Sequence, residues 1–173
     1  MALLPVDELS VFHGELLMGT LFDTTPLSFA YAPQWLEHDS AFALPNIGLQ
    51  AECLATPAVE AVFENLLPEG IIRGVLKRQT HASSTFGLLR AVAGDTAGGL
   101  TILPAGQMPE APSYQAVEWS EIARHFAGQL SVRGAVAPLG SRISLSGAQA
   151  KMLIALSDGG KPLLPKGSSP STW

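Results

Sequence analysis

The order of the predicted elements indicates an α+β fold: a small N-terminal β-sheet with barrel-like strands, then short helices, then a final β-hairpin. Two short apolar runs, Leu9–His13 and Leu16–Phe22, flank Gly14-Glu15 and predict a β-hairpin, and Leu27–Tyr31 predicts a third strand. Near the other end, Ser157-Asp158-Gly159-Gly160 lies between two apolar runs and is a strong hairpin signal. Strands that precede a group of helices favour α+β over a doubly wound parallel sheet.

Helices are predicted in the middle of the chain from proline, capping residues and apolar spacing. Pro33 suits the first position of a single helical turn. Thr56-Pro57 supplies an N-cap and a first helical residue for a helix that Pro68 ends, and Ser84 caps a later helix that Gly94 ends. The helical positions expected to face a core are Val59, Val62, Phe63, Leu66, Ile71, Ile72, Val75, Leu76, Phe86, Leu88, Leu89 and Val92.

The remaining segments have weaker patterns. Phe42–Ala51 is predicted to be extended but broken by Pro45 and Gly48, and Gly98–Leu103 is predicted to form a strand. Pro104–Pro112 is rich in Pro, Gly and Ala, which is typical of a loop. Ser120 is predicted to cap a helix that runs to Leu130.

Composition limits the possible partners of this chain of 173 residues. Hydrophobic residues make up 47% of it and charged residues only 14%, where about 25% charged is usual. Either the chain is an Ala/Leu/Gly-rich domain, or another domain or chain covers part of its apolar surface. The net charge of −5 argues against direct, non-specific DNA binding, which needs a Lys/Arg surface, but leaves DNA binding through a basic partner open.

Cysteine usage and the N-terminus predict a cytoplasmic location. Cys53 is the single cysteine, so it has no partner for an internal disulfide, and we expect it to be a small buried apolar residue. Asp7 and Glu8 lie where a signal peptide would be basic. No apolar run approaches the length of a membrane span, so no membrane association is expected.

The segment from Ser144 to Lys151 is the strongest candidate for ligand binding. Small residues let backbone N–H groups approach phosphate oxygens, and hydroxyl groups add donors, so the segment is consistent with a nucleotide-contacting turn. The P-loop pattern GxxxxGK[ST] is absent, because Gly147 and Lys151 have the wrong spacing. Judged on these residues alone, an ordinary surface turn is the commoner explanation.

Other residues that could carry chemistry favour structural roles. Glu60 and Glu64 are four residues apart, with Glu69 close behind, and a solvated helix face explains them better than paired acid–base catalysis. The histidines are scattered without an HxxxH or HxH pair, so a metal site is not expected. They are His13, His38, His81 and His125.

Five segments occur in an order that is known from one protein family. They are Phe29-Ala30-Tyr31-Ala32-Pro33-Gln34-Trp35-Leu36, Val62-Phe63-Glu64-Asn65-Leu66-Leu67-Pro68-Glu69-Gly70, Phe86-Gly87-Leu88-Leu89 with Gly94-Asp95-Thr96-Ala97-Gly98-Gly99-Leu100, Ile143-Ser144-Leu145-Ser146-Gly147-Ala148-Gln149-Ala150-Lys151, and Pro165-Lys166-Gly167-Ser168-Ser169-Pro170-Ser171-Thr172. Across nearly the whole chain they resemble the HipA family, whose members are serine/threonine protein kinases that act as toxins of type II toxin–antitoxin pairs.

This resemblance implies roles for the segment that precedes the last hairpin. Ser144 matches the serine that HipA kinases autophosphorylate, and Ser146 completes an S-x-S pattern, as in the split three-gene relatives (HipBST), which makes it a second expected phosphorylation site. Adding about two negative charges beside the ATP phosphates would eject the loop and switch the kinase off. The residues that the resemblance assigns to ATP binding are Ser146, Gly147, Ala148, Gln149 and Lys151.

The chain departs from the family pattern at its end. In the family an ATP-binding lysine follows the P-[ST]-T turn, and the catalytic and metal-binding acids lie in a helical C-terminal domain. This chain stops at Trp173, so ATP and Mg²⁺ are expected only for the complete kinase, and the chain alone is expected to be inactive. The implied organisation is an N-terminal subdomain over residues 1–130, a linker over 131–140, and an incomplete start of the kinase core over 141–173.

Three readings of the function remain open. The chain is the front part of a HipA-like kinase, a stand-alone binding or inhibitory subunit of a HipBST-type system, or an α+β interaction domain without a nucleotide role. The presence of the ATP loop favours the first reading. The partners that the resemblance implies are a basic, HipB-like helix-turn-helix antitoxin and a second copy of the kinase as a homodimer, with DNA contacted only through the antitoxin.

Overall fold

A computed structural model describes residues 6–92, 94–96, 99–111, 113–131 and 154–166 of the chain. The chain divides into two compact units, Met1–Pro109 and Glu110–Trp173. Among the described residues, unit 1 contains a sheet and four helices, and unit 2 contains a smaller sheet and one helix. This mixture of antiparallel sheet and short helices confirms the α+β class.

Unit 1 is organised around a six-stranded sheet in which every neighbouring pair of strands is antiparallel. The strand order is β4-β3-β2-β1-β6-β5, so the predicted hairpin of β1 and β2 lies at its centre. Leu9 of β1 lies opposite Leu21 of β2 and Pro104 of β6. The strands are β1 Glu8–His13, β2 Leu16–Phe22, β3 Ser28–Tyr31, β4 Leu54–Ala55, β5 Gly94–Asp95 and β6 Leu100–Pro104.

Four helices belong to unit 1: α1 Pro33–Leu36, α2 Pro57–Glu64, α3 Gly70–Thr80 and α4 Thr85–Val92. The cap of α4 is confirmed, because the Gly87 N–H donates to Ser84 Oγ at 3.0 Å. Thr56 occupies the N-cap position of α2 with an extended backbone, but its hydroxyl makes no capping hydrogen bond. The helix ends at Glu64, four residues before the proline that was predicted to stop it.

One apolar core lies between the central strands and α2, α3 and α4, and its members are 8% exposed or less. Its large side chains come from the strands and the helices that the alternation and the helical spacing predict. They include Leu9, Val11, Met18, Leu21, Phe29, Tyr31, Trp35, Val59, Phe63, Leu67, Leu76, Phe86, Leu88, Leu89, Leu100 and Ile102.

In the region before α2, the expected burial of Cys53 is wrong, whereas the predicted break at Pro45 agrees with the structure. Cys53 is exposed rather than buried, because it lies in the loop that leads into the short edge strand β4. Phe42–Ala51 forms no strand, and a turn at Pro45-Asn46 interrupts it. Asn46 has a φ of 60°, a left-handed conformation that asparagine tolerates better than most residues and that no continuing strand allows.

The described part of unit 2 comprises a three-stranded antiparallel sheet of order β7-β9-β8 and the helix α5 Trp119–Ser131. The strands are β7 Ser113–Ala116, β8 Ala155–Leu156 and β9 Pro162–Lys166. The predicted hairpin between β8 and β9 is confirmed. The Gly160 N–H donates to Ser157 O at 2.8 Å, and Gly160 has a φ of 72°, which glycine adopts at little cost.

The start of α5 and the strand before it differ from the sequence prediction. The helix begins at Trp119, so Ser120 lies inside it and is not its cap. The Glu118 N–H donates to Glu121 Oε2 at 3.3 Å, which is the half of a capping box in which the third helical residue accepts from the N–H of the N-cap residue. Strand β7 was not predicted, because its four residues are all exposed and show no alternation.

The two compact units meet at Pro109–Glu110, and the predicted division into residues 1–130, 131–140 and 141–173 stays a prediction. Strand β7 pairs with β9 across a long stretch of sequence, and Tyr114 lies opposite Pro165. Residues 113–131 lie in unit 2 with the last hairpin. Apart from Ser131, the predicted linker 131–140 lies outside the described residues, and its role stays a prediction. Among the described helices, none is long and apolar enough to cross a membrane.

Candidate interaction surface

The residues predicted to bind ATP or to be phosphorylated lie outside the described part of the chain, and their roles stay predictions. They are Ser144, Ser146, Gly147, Ala148, Gln149 and Lys151. The described hairpin β8–β9 follows them directly. In the described ranges, no three His, Cys, Asp or Glu residues are grouped closely enough to hold a metal ion.

The three glutamates near α2 have separate structural roles. Glu60 Oε2 accepts a hydrogen bond from the Leu27 N–H at 3.3 Å, which ties α2 to the start of β3. Glu64 Oε1 lies 2.8 Å from Arg73 Nη2 and links α2 to α3. Because this ion pair is partly exposed, it contributes at most about 1 kcal/mol. Glu69 is the exposed N-cap of α3, so the three carboxylates form no joint acid–base site.

Tyr31 fixes the irregular segment that follows α1. Its hydroxyl accepts a hydrogen bond from the Leu44 N–H at 2.7 Å and donates one to Ile47 O at 3.2 Å. Tyr31 is itself 5% exposed. Burial raises the pKa of Tyr31, and the hydrogen bond from Leu44 opposes that rise. One side chain of β3 thereby positions both sides of the turn at Pro45-Asn46.

Replacing Tyr31 by phenylalanine is expected to lower the free energy of unfolding by about 1–3 kcal/mol, because the buried Leu44 N–H loses its acceptor. Urea unfolding at neutral pH measures the change. Tyr114, which is 40% exposed, provides the control, since Tyr114→Phe should alter the unfolding free energy by less than about 0.5 kcal/mol. Equal effects of the two substitutions would contradict the role given to Tyr31.

The same hydroxyl gives an expected pH dependence. Because the pKa of Tyr31 is raised in the folded protein, its contribution to stability is complete below the unfolded value of about 10. Above that pH the unfolded chain loses the proton more readily, so stability falls as the pH rises. The gap in unfolding free energy between the natural chain and Tyr31→Phe should therefore narrow above pH of about 10. A gap that stays constant would contradict the shift.

Four rings form a cluster at one end of the sheet, which we call the aromatic cluster: His13, Trp35, His38 and Phe42. The His13 ring lies edge-on to Trp35 at 5.9 Å and to Phe42 at 5.1 Å between centroids. Phe42 lies edge-on to Trp35 at 5.2 Å. The His38 ring is parallel to Trp35 within 3°, at 6.2 Å. The rings come from the end of β1, from α1 and from the segment after it.

Hydrogen bonds hold the aromatic cluster in place. Trp35 Nε1–H donates to Phe42 O at 3.2 Å, and the Ser40 N–H donates to His38 Nδ1 at 3.2 Å. Trp35 is only 1% exposed, whereas Phe42 is 42% exposed. The imidazoles of His13 and His38 are also exposed. The buried indole therefore supports three rings that face solvent.

Acidic residues accompany the aromatic cluster. The first 72 residues of the chain contain ten Asp or Glu residues and neither Lys nor Arg. Glu37 and Asp39 flank His38, and Glu15 follows His13 by two residues. All three acids are exposed. The surface at this end of the sheet is thus aromatic and negatively charged, a combination that suits a positively charged partner.

Comparison with known proteins identifies the family of the chain. The family model described as "HipA N-terminal domain" matches residues 9–103. The chain belongs to the HipA N-terminal domain family. This segment falls within unit 1 and runs from the first core residue of β1 to the fourth residue of β6.

Two relatives are much longer than this chain. The Sinorhizobium fredii protein named "Putative kinase Y4mE" is 33% identical over an alignment of 147 residues, and the match covers 77% of this chain and 34% of that protein. HipA of Shewanella oneidensis MR-1, solved with HipB and operator DNA, matches 95% of this chain with a TM-score of 0.66 and 27% identity. The chain covers 39% of that HipA.

The HipA sequence signature is explained mainly by the core of unit 1. Phe29, Tyr31 and Trp35 of the first motif are buried, and so are Phe63 and Leu67 of the second. The Phe29 ring packs against Phe63 at 5.5 Å and edge-on to Tyr31 at 4.9 Å. These motif residues therefore establish the fold, and only Trp35 also supports a surface feature.

Sequence reasoning did not assemble the aromatic cluster. The first motif located Trp35, and His13 and His38 were considered only as metal ligands. In the structure both imidazoles instead pack on the Trp35 indole. This packing depends on β1 and α1 lying side by side, and residue spacing within either element does not reveal it. The sequence did offer one indication of a charged surface in this region, because the first 72 residues contain acids but neither Lys nor Arg.

Proposed function

We propose that this chain supplies the N-terminal region of a HipA-like toxin kinase, in which it carries the contact surface for a HipB-like antitoxin and the ATP-binding loop. The observation that supports this most strongly is the match of 95% of the chain to a HipA whose structure includes HipB and operator DNA. In this proposal the chain reaches DNA only through the antitoxin. A second copy of the kinase is a further partner at the same region.

Charge supports a basic partner for this region. The chain has a net charge of −5, which opposes direct contact with phosphates but favours association with a positively charged DNA-binding protein. Residues 9–103, which the HipA N-terminal domain model matches, contain nine Asp or Glu residues and four Lys or Arg residues, so this segment has an excess of negative charge. Electrostatic attraction of this kind mainly raises the association rate and weakens as salt screens it.

The proposed ATP loop rests on its donor chemistry and on the family motif. Ser146, Gly147, Ala148 and Gln149 offer small side chains and donors to phosphate oxygens, and Lys151 adds a positive charge. In a complete kinase, Mg²⁺ would neutralise charge on the phosphates. Phosphate on Ser144 or Ser146 would repel bound ATP and release the loop, which makes these serines the proposed off switch.

Binding of the purified chain to a HipB-like antitoxin from the same organism tests the proposal. We expect a stable complex by isothermal titration calorimetry, and retention of an operator fragment by the chain only when the antitoxin is present. A helix-turn-helix protein of similar net charge from an unrelated operon is the control. Absence of binding, or equal binding of both proteins, would overturn the antitoxin role. Preferential binding to a HipA-like kinase core would support the HipBST-type alternative.

A further inference from the structure

We propose that the aromatic cluster is the docking site for an arginine side chain of the basic antitoxin. This inference rests on the proposed function for the identity of the partner. It adds the surface and the chemistry by which that partner is held. The arginine would lie against Phe42 and the exposed imidazoles and pair with the neighbouring carboxylates.

The rings present a surface that is formed before any partner binds. Phe42 makes edge contacts with both His13 and Trp35, at interplanar angles of 88° and 86°. Its backbone oxygen is fixed by the Trp35 indole N–H. Because the ring is held on two sides and is still 42% exposed, a partner does not have to order it. Surfaces that are ordered in advance bind at a lower entropic cost.

The nearby carboxylates are available to a cation. Within the described residues, Asp7 pairs with Arg90 and Glu64 pairs with Arg73. Glu15, Glu37 and Asp39 take part in no such pair in that part of the chain. An exposed aromatic ring bordered by unpaired carboxylates attracts a cation through both the ring quadrupole and the negative charges.

Arginine fits this surface better than other occupants do. Its guanidinium is planar, stacks on aromatic faces and is weakly hydrated, whereas the lysine ammonium is a compact and strongly hydrated charge. Nucleic acid would bring phosphates against Glu37 and Asp39. A second copy of the chain docked through the same patch would bring these acids together with their own equivalents. A basic protein with an accessible arginine is the occupant that charge complementarity favours.

The site is tested first with peptides and the full chain. The probe is an acetylated, amidated peptide of four Gly-Arg repeats, and the matched peptide has lysine in place of arginine. Nuclear magnetic resonance follows the Trp35 indole N–H, which is identified by its loss in Trp35→Phe. We expect the arginine peptide to shift this signal saturably and to bind more tightly than the lysine peptide. Equal affinities, or no shift of the indole signal, would overturn the proposal.

Variants of Phe42 distinguish the contribution of the aromatic ring to arginine-peptide binding from the contribution of its apolar surface. Phe42→Leu keeps an apolar side chain but removes the ring, and it should weaken arginine-peptide binding about two- to fivefold. Phe42→Tyr should bind like the natural chain. Met108→Ala, at an apolar residue that is 68% exposed, is the control and should have no effect. An affinity of Phe42→Leu equal to that of the natural chain would contradict the role of the ring.

Titration of the antitoxin against the natural chain and against Phe42→Leu distinguishes a failure of the proposed docking site from a failure of the proposed function. Weaker antitoxin binding by Phe42→Leu, with Met108→Ala unchanged, is the expected result. Unchanged antitoxin binding by Phe42→Leu would overturn the docking site while leaving the proposed function intact. A natural chain that binds the arginine peptide but not the antitoxin would overturn the proposed function, and with it the identity of the partner, but not the arginine site.

Discussion

Gly19→Ala is expected to destabilise the protein by about 3 kcal/mol or more, although it adds only one methyl group. Gly19 lies in β2, opposite Val11 of β1 and Tyr31 of β3. A Cβ at this position would lie 2.5 Å from Phe29 Cζ and still closer to the backbone oxygen of Ala30. A backbone oxygen in the centre of a sheet has no room to move, so the strands themselves would have to separate.

A matched glycine isolates this steric effect. Gly48 lies in the irregular segment before α2, and a Cβ there would meet no atom within 4 Å. Gly48→Ala should therefore change the free energy of unfolding by less than about 1 kcal/mol, and in the stabilising direction, since alanine restricts the unfolded chain. Urea unfolding of both variants measures the difference. Similar values for the two would show that β2 and β3 are not as close as described.

Phe63→Ala is expected to lower the free energy of unfolding by about 3–5 kcal/mol. Phe63 lies on α2, is 0% exposed, and packs its ring at 5.5 Å against Phe29 of the central sheet. Its removal leaves a cavity between α2 and the sheet that neighbouring side chains fill only in part. Because Phe29 also contacts Tyr31, the substitution should loosen the segment that Tyr31 holds.

Urea unfolding and near-ultraviolet circular dichroism measure the effect of Phe63→Ala. Phe63→Leu restores part of the volume and should recover at least half of the loss. Met108→Ala removes an apolar side chain that is 68% exposed, and it should change the unfolding free energy by less than about 0.5 kcal/mol. A Phe63→Ala variant as stable as Met108→Ala would contradict the position of Phe63 in the core.

Much of unit 1 could be predicted because its elements are encoded locally. The hairpin of β1 and β2, the helical turn at Pro33 and the cap at Ser84 all follow from residues within a few positions of one another. The prediction of the α5 cap was wrong, because the helix begins at Trp119, one residue before the serine that was expected to cap it. Ser120 looked like a cap, but the carboxylate of Glu121 reaches the Glu118 N–H.

Exposure was harder to predict than secondary structure. Cysteine is usually buried, yet Cys53 is exposed, because its position in a loop decided the outcome more than its chemistry did. Conversely, Glu60 was expected on a solvated face, but its carboxylate accepts the Leu27 N–H. For Glu60 the deciding factor was where a distant part of the chain comes to lie.

The candidate surface was likewise predictable only in part. Trp35 was identified by its motif, whereas its contacts with His13 and Phe42 join residues from three separate elements. The proposed ATP loop is the opposite example, since its assignment rests on the motif from Ser144 to Lys151 alone.

The sequence by itself determined the α+β class, the family and most of the helices and strands of unit 1, because alternation, helical spacing, prolines and caps act over short distances. Only the tertiary structure decided that β1 pairs with β6, that β7 pairs with β9, and that His13, Trp35, His38 and Phe42 form one surface. Such contacts join residues far apart in the chain, and their free energy depends on packing that exists only once the core has formed.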